Sequence, residues 1–482
     1  MQNLKLFTQL TLILMRKQGE LLPTLGLFST VILVVSSIIG SGIYKKIAPM
    51  SAELLSPQLV LLCWLVAGLM SLFGALSNAE VASLLANSGG EYSYYKKIYN
   101  QFFGFLYGWS NFFVIRTGSF VSIAYVFAMS VNSLVPLPPV LTAWSDVTLF
   151  GVFQPFDNFS VKLLAMALVA LLTFVNYRGL SFGKYLSTFS MIAVFACIIL
   201  IIVLGLTVSN GSWHNLGINA SGYMPKSITD PSLIQAFFAA SLAAFWGYEG
   251  WATVGYMGGE IKNPQRNLPL AIIIGIFLVI ALYLTIHSIY LYILPIDQFV
   301  SIAHSKNQIA AVEVVRAFLG TGGVLFISLL IILTTFNCTH TTMLMASRLY
   351  YTMAKDGLFF KQVNYVHPKY NTPSTALIWQ SVWGIVLILS GTFDQLTDML
   401  IFASFIFYGA TTLGVFVLRR TIPDAPRSYK VWGYPVVPAI FILFCIALVG
   451  ITMYSKPREA FFGLGLMATG IPFYLVWTSK KK

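Results

Sequence analysis

Gly40, Ser41 and Gly42 interrupt an apolar run from Leu25 to Met50, just past its middle. The run is long enough to cross a bilayer, and a spanning helix has to satisfy its own backbone hydrogen bonds. Glycine weakens a helix, so one interpretation is a break whose freed amides hold an anionic group. The alternative is close helix packing through small residues, which are common in membrane helices. This stretch alone favours neither.

A second interruption lies at residues 245–251, Phe-Trp-Gly-Tyr-Glu-Gly-Trp, in the middle of another apolar run. Glu249 in this run costs at least about 2.5–3.5 kcal/mol at the bilayer centre if it is unpaired. A protein-lined or wet site is therefore required around it. If burial stabilises its protonated form, the same carboxyl becomes a candidate carrier for a coupled proton.

The elements that position these residues follow from the composition. Of 482 residues, 57% are hydrophobic and only 9% are charged, whereas a soluble domain has about 25% charged residues. The predicted fold class is therefore an all-α polytopic membrane protein. Apolar windows of about 20 residues predict twelve spans, numbered here in chain order. Their limits are residues 25–49, 57–85, 102–133, 159–177, 183–208, 232–259, 268–293, 312–354, 373–390, 395–419, 433–454 and 459–478.

The net charge of +13 indicates the orientation of the spans and not a nucleic-acid partner. Lys and Arg concentrate on one set of alternate connections, whereas residues 134–158, in the other set, contain neither. This bias follows the positive-inside rule, which predicts that both termini are cytoplasmic.

The sequence indicates neither a metal site nor a catalytic cluster. The four cysteines lie far apart in apolar spans, and the five histidines show no ligand spacing to each other or to cysteine. A hydrolase needs a nucleophile with a positioned base or a metal cluster. We therefore expect no enzyme activity, no metal and no cofactor.

Spans 1 and 6, which carry the two interruptions, each head a block of five spans. Because five is odd, the second block enters the membrane from the opposite side, which is the pattern of an inverted-topology repeat. Such repeats place their binding site where the two broken helices meet at the midplane. The predicted divisions are a tail at 1–24, a first repeat at 25–208, an outer loop at 209–231, a second repeat at 232–420, and spans 11 and 12 with the C-terminus at 421–482.

Six motifs, taken in order, resemble the amino acid–polyamine–organocation (APC) superfamily, most closely its bacterial L-amino-acid transporter branch. They cover nearly the whole chain and are residues 39–44, Glu80 with residues 88–92, and residues 115–116, 245–251, 263–269 and 423–435. Two positions depart from the family pattern. Thr117 stands where a proline is usual, and Glu249 stands where aspartate is common and adds a methylene that reshapes the expected pocket.

The resemblance implies a LeuT-type fold with a 5+5 inverted repeat, in which unwound segments of helices 1 and 6 hold an amino acid and transport proceeds by alternating access. An α-amino acid is a zwitterion, so it needs amide donors on one side and carbonyl acceptors on the other. By resemblance, amides near Ser41 and Gly42 take the carboxylate. The carbonyls that take the ammonium are those near Ile38, Ile39, Phe245 and Trp246.

Two further roles are implied in the same way. Trp246 matches the family's aromatic gate over the substrate, and Lys184 matches a fifth-helix lysine that stands in a cation site of Na⁺-independent members. His340 in span 8 is a candidate for the side-chain pocket, although a lone histidine in a span is more often a packing residue. The substrate-binding set is completed by Gly40, Gly247 and Glu249.

The leading prediction is Na⁺-independent exchange of neutral L-amino acids across the cell inner membrane, by a multi-pass protein whose partners are the substrate and the lipid bilayer. The alternatives are a proton-coupled symporter, with Glu249 as the proton carrier, and a membrane amino acid sensor, which is less favoured because no soluble signalling domain is appended. Residues 134–158 lack the cysteine by which animal relatives join an ancillary glycoprotein, so we expect no disulfide-linked ancillary subunit.

Overall fold

The computed structural model describes residues 23–85, 89–148, 154–208, 211–305, 308–390 and 393–479, without the side chains of 180–187 and 393–395. In these ranges the regular structure is helical, apart from an isolated bridge between Leu25 and Ile261. Nine helices in the described chain are long and apolar enough to cross a membrane, and two shorter apolar helices accompany them. The predicted all-helical polytopic fold class is confirmed.

Most predicted spans are single helices close to their predicted limits. Their apolar residues surround the helix on all sides, as expected for helices that face both lipid and protein. These helices are Pro57–Leu85 (span 2), Phe159–Tyr177 (span 4), Leu180–Leu206 (span 5), Pro264–Ile293 (span 7), Ser374–Ser390 (span 9), Phe393–Thr421 (span 10) and Val436–Ser455 (span 11).

Span 1 is broken where the glycines predict a break. Its first helix is Leu27–Ile38, and the chain becomes extended at Ile39 (φ −73°, ψ 98°). Helical structure resumes as Gly42–Lys45 and then Ile47–Leu54. The two halves of the span therefore cross the membrane with an irregular segment between them, at residues 39–41.

Span 6 is broken at the carboxylate. Its helix Pro231–Tyr248 ends because Glu249 is extended (φ −64°, ψ 144°). Gly250 follows at φ 113°, in a region that side-chain-bearing residues rarely adopt. Two short 3₁₀ turns, Thr253–Tyr256 and Gly258–Glu260, complete the span.

Span 3 carries a local irregularity that the sequence pattern did not predict. It begins as Gln101–Ser110, passes through a π-helical turn at Asn111–Ile115 and continues as Arg116–Leu134. Such turns occur frequently at functional sites. This one directly precedes the buried arginine of the span.

Spans 8 and 12 are also interrupted. The long helix Ala310–Lys355 of span 8 has a non-helical residue at Gly320 (φ 59°, ψ −147°). Span 12 consists of two helices, Pro457–Ala468 and Gly470–Ser479. The apolar runs predicted both spans but not these interruptions.

The inner half of the molecule, which we define as the half containing the start of span 1, is closed by polar contacts. The Leu25 amide donates to the Glu260 carbonyl at 3.0 Å, and the Lys262 amide donates to the Leu25 carbonyl at 2.8 Å. Arg348 of span 8 donates to both carboxylate oxygens of Glu260, at 2.7 and 3.2 Å. A bidentate pair fixes orientation as well as distance, so the start of span 1, the end of span 6 and span 8 are held together.

A short buried helix, Glu91–Ile98, connects spans 2 and 3 on the inner side, and we call it the inner connecting helix. It lies in the polar, aromatic segment that follows span 2. Nearby, Glu80 of span 2 accepts hydrogen bonds from Arg419 at 2.9 and 2.7 Å and from the Val431 amide at 2.6 Å. Glu80 thereby joins span 2 to span 10 and to the segment before span 11.

Candidate functional site

The unwound segments of spans 1 and 6 meet through glycine. An ideal Cβ on Gly42 would lie 2.5 Å from Gly247 Cα, and one on Gly250 would collide with the Ser37 carbonyl oxygen. Non-bonded carbon atoms prefer separations of about 3.5–4.0 Å, so none of these contacts admits a side chain. Both interpretations of the glycines, a helix break and close packing, therefore apply, because the glycines mark the breaks and also allow the backbones to approach.

The breaks leave backbone groups without regular partners. The amides of residues 40–43 donate no hydrogen bond to any described residue, as is usual at the start of a helix. On span 6 the Glu249 amide lies 3.4 Å from the Trp246 carbonyl, so the regular bond to the Phe245 carbonyl is missing. One segment thus presents donors while the other presents an acceptor.

Trp246 spans the junction between the two segments. Its indole Nε1 donates to Ser41 Oγ at 3.1 Å, and the side chain is 5% exposed. A second bond between the segments runs from Ser37 Oγ to the Gly250 carbonyl at 3.1 Å. Trp246 therefore lies against the residues that the sequence places in the binding site.

Tyr283 of span 7 contacts both breaks from outside them. Its hydroxyl lies 2.9 Å from the Gly247 carbonyl and 3.4 Å from the Ile38 carbonyl. The hydroxyl has one hydrogen, so it donates to one of these carbonyls at a time. Tyr283 thus supports the last carbonyls of both interrupted helices.

Glu249 forms a buried ion pair. Arg116 Nη1 of span 3 lies 2.9 Å from Glu249 Oε1, with the two side chains 2% and 4% exposed. Tyr408 of span 10 places its hydroxyl 2.8 and 3.0 Å from the two carboxylate oxygens. A buried charge requires such compensation, which the guanidinium and the hydroxyl supply.

The cavity at Glu249 is small. It has room for about one water molecule, so an amino acid enters only if surrounding side chains move. It lies between spans 2, 6, 10 and 11, on one side of the span 6 break. The lining residues are Ser71, Phe245, Tyr248, Glu249, Trp251, Phe405, Tyr408 and Phe441.

Two of the predicted site residues belong to spans 8 and 5. His340 is fully buried in span 8, and its carbonyl accepts a bond from Asn176 of span 4 at 3.3 Å. Lys184 belongs to the helix Leu180–Leu206, but its side chain lies outside the described residues. Their roles stay predictions.

Sequence reasoning missed two members of this site, Tyr283 and Tyr408, and the partner of a third. A lone arginine in an apolar span signalled that Arg116 needs a partner, but nothing in the sequence identified Glu249 as that partner. Tyr283 and Tyr408 gave no signal, because a tyrosine in a membrane span is unremarkable by type and spacing. Each becomes part of the site only through the packing of distant spans.

Comparison with known proteins places the chain among transporters. Residues 25–476 match the model of the amino acid permease family. The serine/threonine exchanger SteT of Bacillus subtilis is 29% identical, over 95% of this chain and 97% of its own. The human b(0,+)-type amino acid transporter 1 is 29% identical over 96% and 90%. The human large neutral amino acids transporter small subunit 2 is 28% identical over 95% and 81%.

Proposed function

The chain belongs to the amino acid permease family, and we propose that it exchanges neutral L-amino acids across the cell inner membrane without sodium. It is an integral membrane transporter and not an enzyme. The substrate is held between the unwound segments of spans 1 and 6. Its access alternates between the two sides of the membrane.

The observation that carries this proposal is the pairing of free donors with a freed acceptor at the glycine contact. The amides of residues 40–43 have no described partner, and the Phe245 carbonyl lacks its helical bond. A half-helix N-terminus favours an anion, and a half-helix C-terminus favours a cation. These groups suit the carboxylate and the ammonium of one α-amino acid.

Trp246 acts in this proposal as the gate. Its bond to Ser41 Oγ closes the space over the amides of the span 1 break. Entry of a substrate requires this bond to open, because the indole lies against Ser41, whose amide is one of the proposed carboxylate donors. The indole then covers the bound substrate.

The preference for a neutral substrate follows from the charges next to the break. Glu249 and Arg116 contact each other at 2.9 Å and cancel. A charged substrate side chain would have to separate this buried pair, which is unfavourable because each partner would lose its compensation. Exchange is favoured by similarity to a relative whose name describes a serine/threonine exchanger.

The test is transport by the purified protein in liposomes, in Na⁺-free buffer. Labelled serine or alanine is offered outside, and one unlabelled amino acid at a time is loaded inside. We expect uptake only into loaded vesicles, with neutral amino acids as the effective internal partners. Equal uptake into empty vesicles would refute exchange, and stimulation by arginine or glutamate alone would refute the neutral preference.

The orientation and the subunit composition also belong to this proposal. Both termini are cytoplasmic, because the Lys and Arg bias follows the positive-inside rule. The protein functions without a disulfide-linked subunit, since residues 134–158 contain no cysteine. We expect a labelled tag at either terminus to be accessible only from the cytoplasm. We also expect the protein from native membranes to migrate unchanged on non-reducing gels.

A further inference from the structure

Three contacts between oxygen atoms lie in a row between the inner connecting helix and span 3. Tyr107 Oη contacts Glu91 Oε2 and Tyr256 Oη, and Tyr256 Oη lies 3.2 Å from Asn111 Oδ1. The four side chains are at most 2% exposed, so bulk water does not reach these oxygens. Each contact therefore needs one hydrogen atom between its two oxygens.

The orientation of the Asn111 amide is fixed by its other contact. Its Nδ2 donates to the Tyr107 backbone carbonyl at 2.8 Å. Turning the amide over would set Oδ1 against that carbonyl, with two acceptors facing each other. Asn111 Oδ1 is therefore the group that faces Tyr256, and it accepts the Tyr256 hydrogen.

The hydrogens of this chain can be counted. If Glu91 is ionised, the hydroxyls of Tyr107 and Tyr256 supply two hydrogens for three contacts. One pair of buried oxygens would then face each other without a hydrogen, which is unfavourable in a low-dielectric interior. With a proton on Glu91 Oε2, Glu91 donates to Tyr107, Tyr107 to Tyr256 and Tyr256 to Asn111.

We infer that Glu91 is a proton-binding site of this transporter and holds one proton in the closed conformation. The site differs from Glu249, whose side chain forms an ion pair with Arg116. The ligand is a single proton, taken from water on the inner side and returned to it when the inner half opens.

The groups around Glu91 agree with a neutral carboxyl. Glu91 Oε1 accepts hydrogen bonds from two neutral donors. These are Asn78 Nδ2 of span 2, at 3.1 Å, and Thr411 Oγ1 of span 10, at 3.0 Å. No Lys or Arg of the described chain forms an ion pair with Glu91. Burial raises the pKa of Glu91, against the lowering effect of the bonds from Tyr107 and Thr411.

The charged groups nearest to Glu91 are already engaged. Arg116 reaches the chain through Tyr256 Oη, at 3.3 Å from its Nε, and is paired with Glu249. With both carboxyls ionised, Glu91, Glu249 and Arg116 would carry one net negative charge, which a proton on Glu91 removes. Lys96, on the same helix as Glu91, pairs with Asp356 of span 8. The other titratable side chains around Glu91 are the phenols of Tyr94, Tyr95, Tyr107, Tyr256 and Tyr408.

The proton connects two parts of the molecule that separate when the inner half opens. Tyr256 lies in the inner turn of span 6, whereas Tyr107 and Asn111 lie in span 3. Loss of the proton removes one hydrogen bond from the row that joins them, so deprotonation loosens span 6 from span 3. On the exchange function proposed above, exchange becomes faster as the inner pH rises through the pKa of Glu91, and slower as it falls.

The first test detects the proton without using transport. The infrared C=O band of protonated carboxyls is recorded on the purified full-length protein at neutral pH, for the wild type, E91Q, E249Q and a control. The control is E53Q, because Glu53 is an exposed carboxylate near the end of span 1. We expect a band in the wild type that is lost in E91Q and kept in E249Q and E53Q. Absence of the band in the wild type, or its persistence in E91Q, would overturn the inference.

A second variant, Y107F, allows the same test if E91Q folds poorly. Y107F retains the ring but removes the hydroxyl that bonds Glu91, so the carboxyl band should shift in frequency or disappear. An unshifted band in Y107F would place the proton elsewhere and overturn the inference.

The second test measures exchange in liposomes with the pH varied on both sides together. The wild type and E53Q should speed up as the pH rises, whereas E91Q should show no pH dependence, because its amide N–H supplies the third hydrogen at every pH. An E91Q profile equal to that of the wild type would overturn the inference. If no amino acid is exchanged at all, the proposed function fails, and the infrared band still decides whether Glu91 binds a proton.

Discussion

Replacement of Gly42 by alanine should separate the two unwound segments. The added Cβ would lie 2.5 Å from Gly247 Cα and 3.2 Å from its nitrogen, about 1 Å inside the preferred carbon–carbon separation of about 3.5–4.0 Å. Both partners are backbone atoms, so no flexible side chain can move aside. Overpacking of this kind destabilises a conformation by about 1–3 kcal/mol. At about 1.4 kcal/mol for each factor of ten, the arrangement in which the two segments touch loses about 5–150-fold in population.

Trans-stimulated exchange in liposomes measures this effect, because the proposed site holds the substrate between these two segments in each transport step. We expect the exchange rate of G42A to fall by about 5–150-fold, the factor derived from the overpacking energy. The matched control is G450A in span 11, where an added Cβ meets no atom within 4 Å. G450A should exchange like the wild type. A G42A protein with wild-type exchange and wild-type thermal stability would refute the argument that this glycine contact is needed.

Three further predictions concern contacts at the site and at the outer loop. E249Q should destabilise the protein by about 3–5 kcal/mol, because it leaves Arg116 buried and uncompensated. The double variant R116Q/E249Q should recover part of this loss in thermal unfolding. Equal losses in the single and double variants would contradict the pairing. W246F keeps an aromatic ring but loses the bond to Ser41 that has to open on entry. It should strengthen the apparent affinity for serine by about 2–10-fold, because a hydrogen bond worth about 0.5–1.5 kcal/mol no longer has to break. S41A should match it, and a wild-type affinity in both variants would refute the role of this bond. Hydrogen bonds from Ser232 hold the pKa of Asp230 in the folded protein below its ordinary value. These bonds therefore stabilise the protein at pH values above the pKa of Asp230 in the unfolded chain. Their effect is lost as the pH falls through the pKa of Asp230 in the folded protein. In D230N, thermal stability should fall less on acidification than in the wild type, and an unchanged pH profile would contradict this.

Much of the architecture could be predicted because membrane spans are encoded locally. Runs such as Pro57–Leu85 and Val436–Ser455 are apolar over the length that a bilayer requires. The two breaks were also predictable, because glycine beside Ser41 and beside Glu249 conflicts with a regular spanning helix. The interruptions at Gly320 and at the middle of span 12 were not predicted, because glycines in an apolar run also serve close helix packing and do not by themselves indicate a break.

The partners within the site could not be predicted, because they come from spans far apart in sequence. Arg116 and Glu249 each indicated a need for compensation, but their separation of 133 positions carries no information about contact. Glu91 appeared only as part of a family motif, and its role emerges from the Tyr107, Tyr256 and Asn111 contacts that packing creates. Hydrogen counting requires those contacts, so sequence alone could not reveal the proton site.

Binding of labelled serine to the purified S41P and S41A proteins tests the central claim most directly, namely that amides of the span 1 break hold the substrate carboxylate. Ser41 has φ −76°, which proline also adopts, and its amide has no described partner. S41P therefore removes one amide donor with little strain, whereas S41A removes only the hydroxyl. Loss of a hydrogen bond to a charged group, worth about 1.5–3 kcal/mol, predicts about 10–150-fold weaker binding by S41P than by S41A, at equal thermal stability. Equal affinities of the two stable variants would contradict the account.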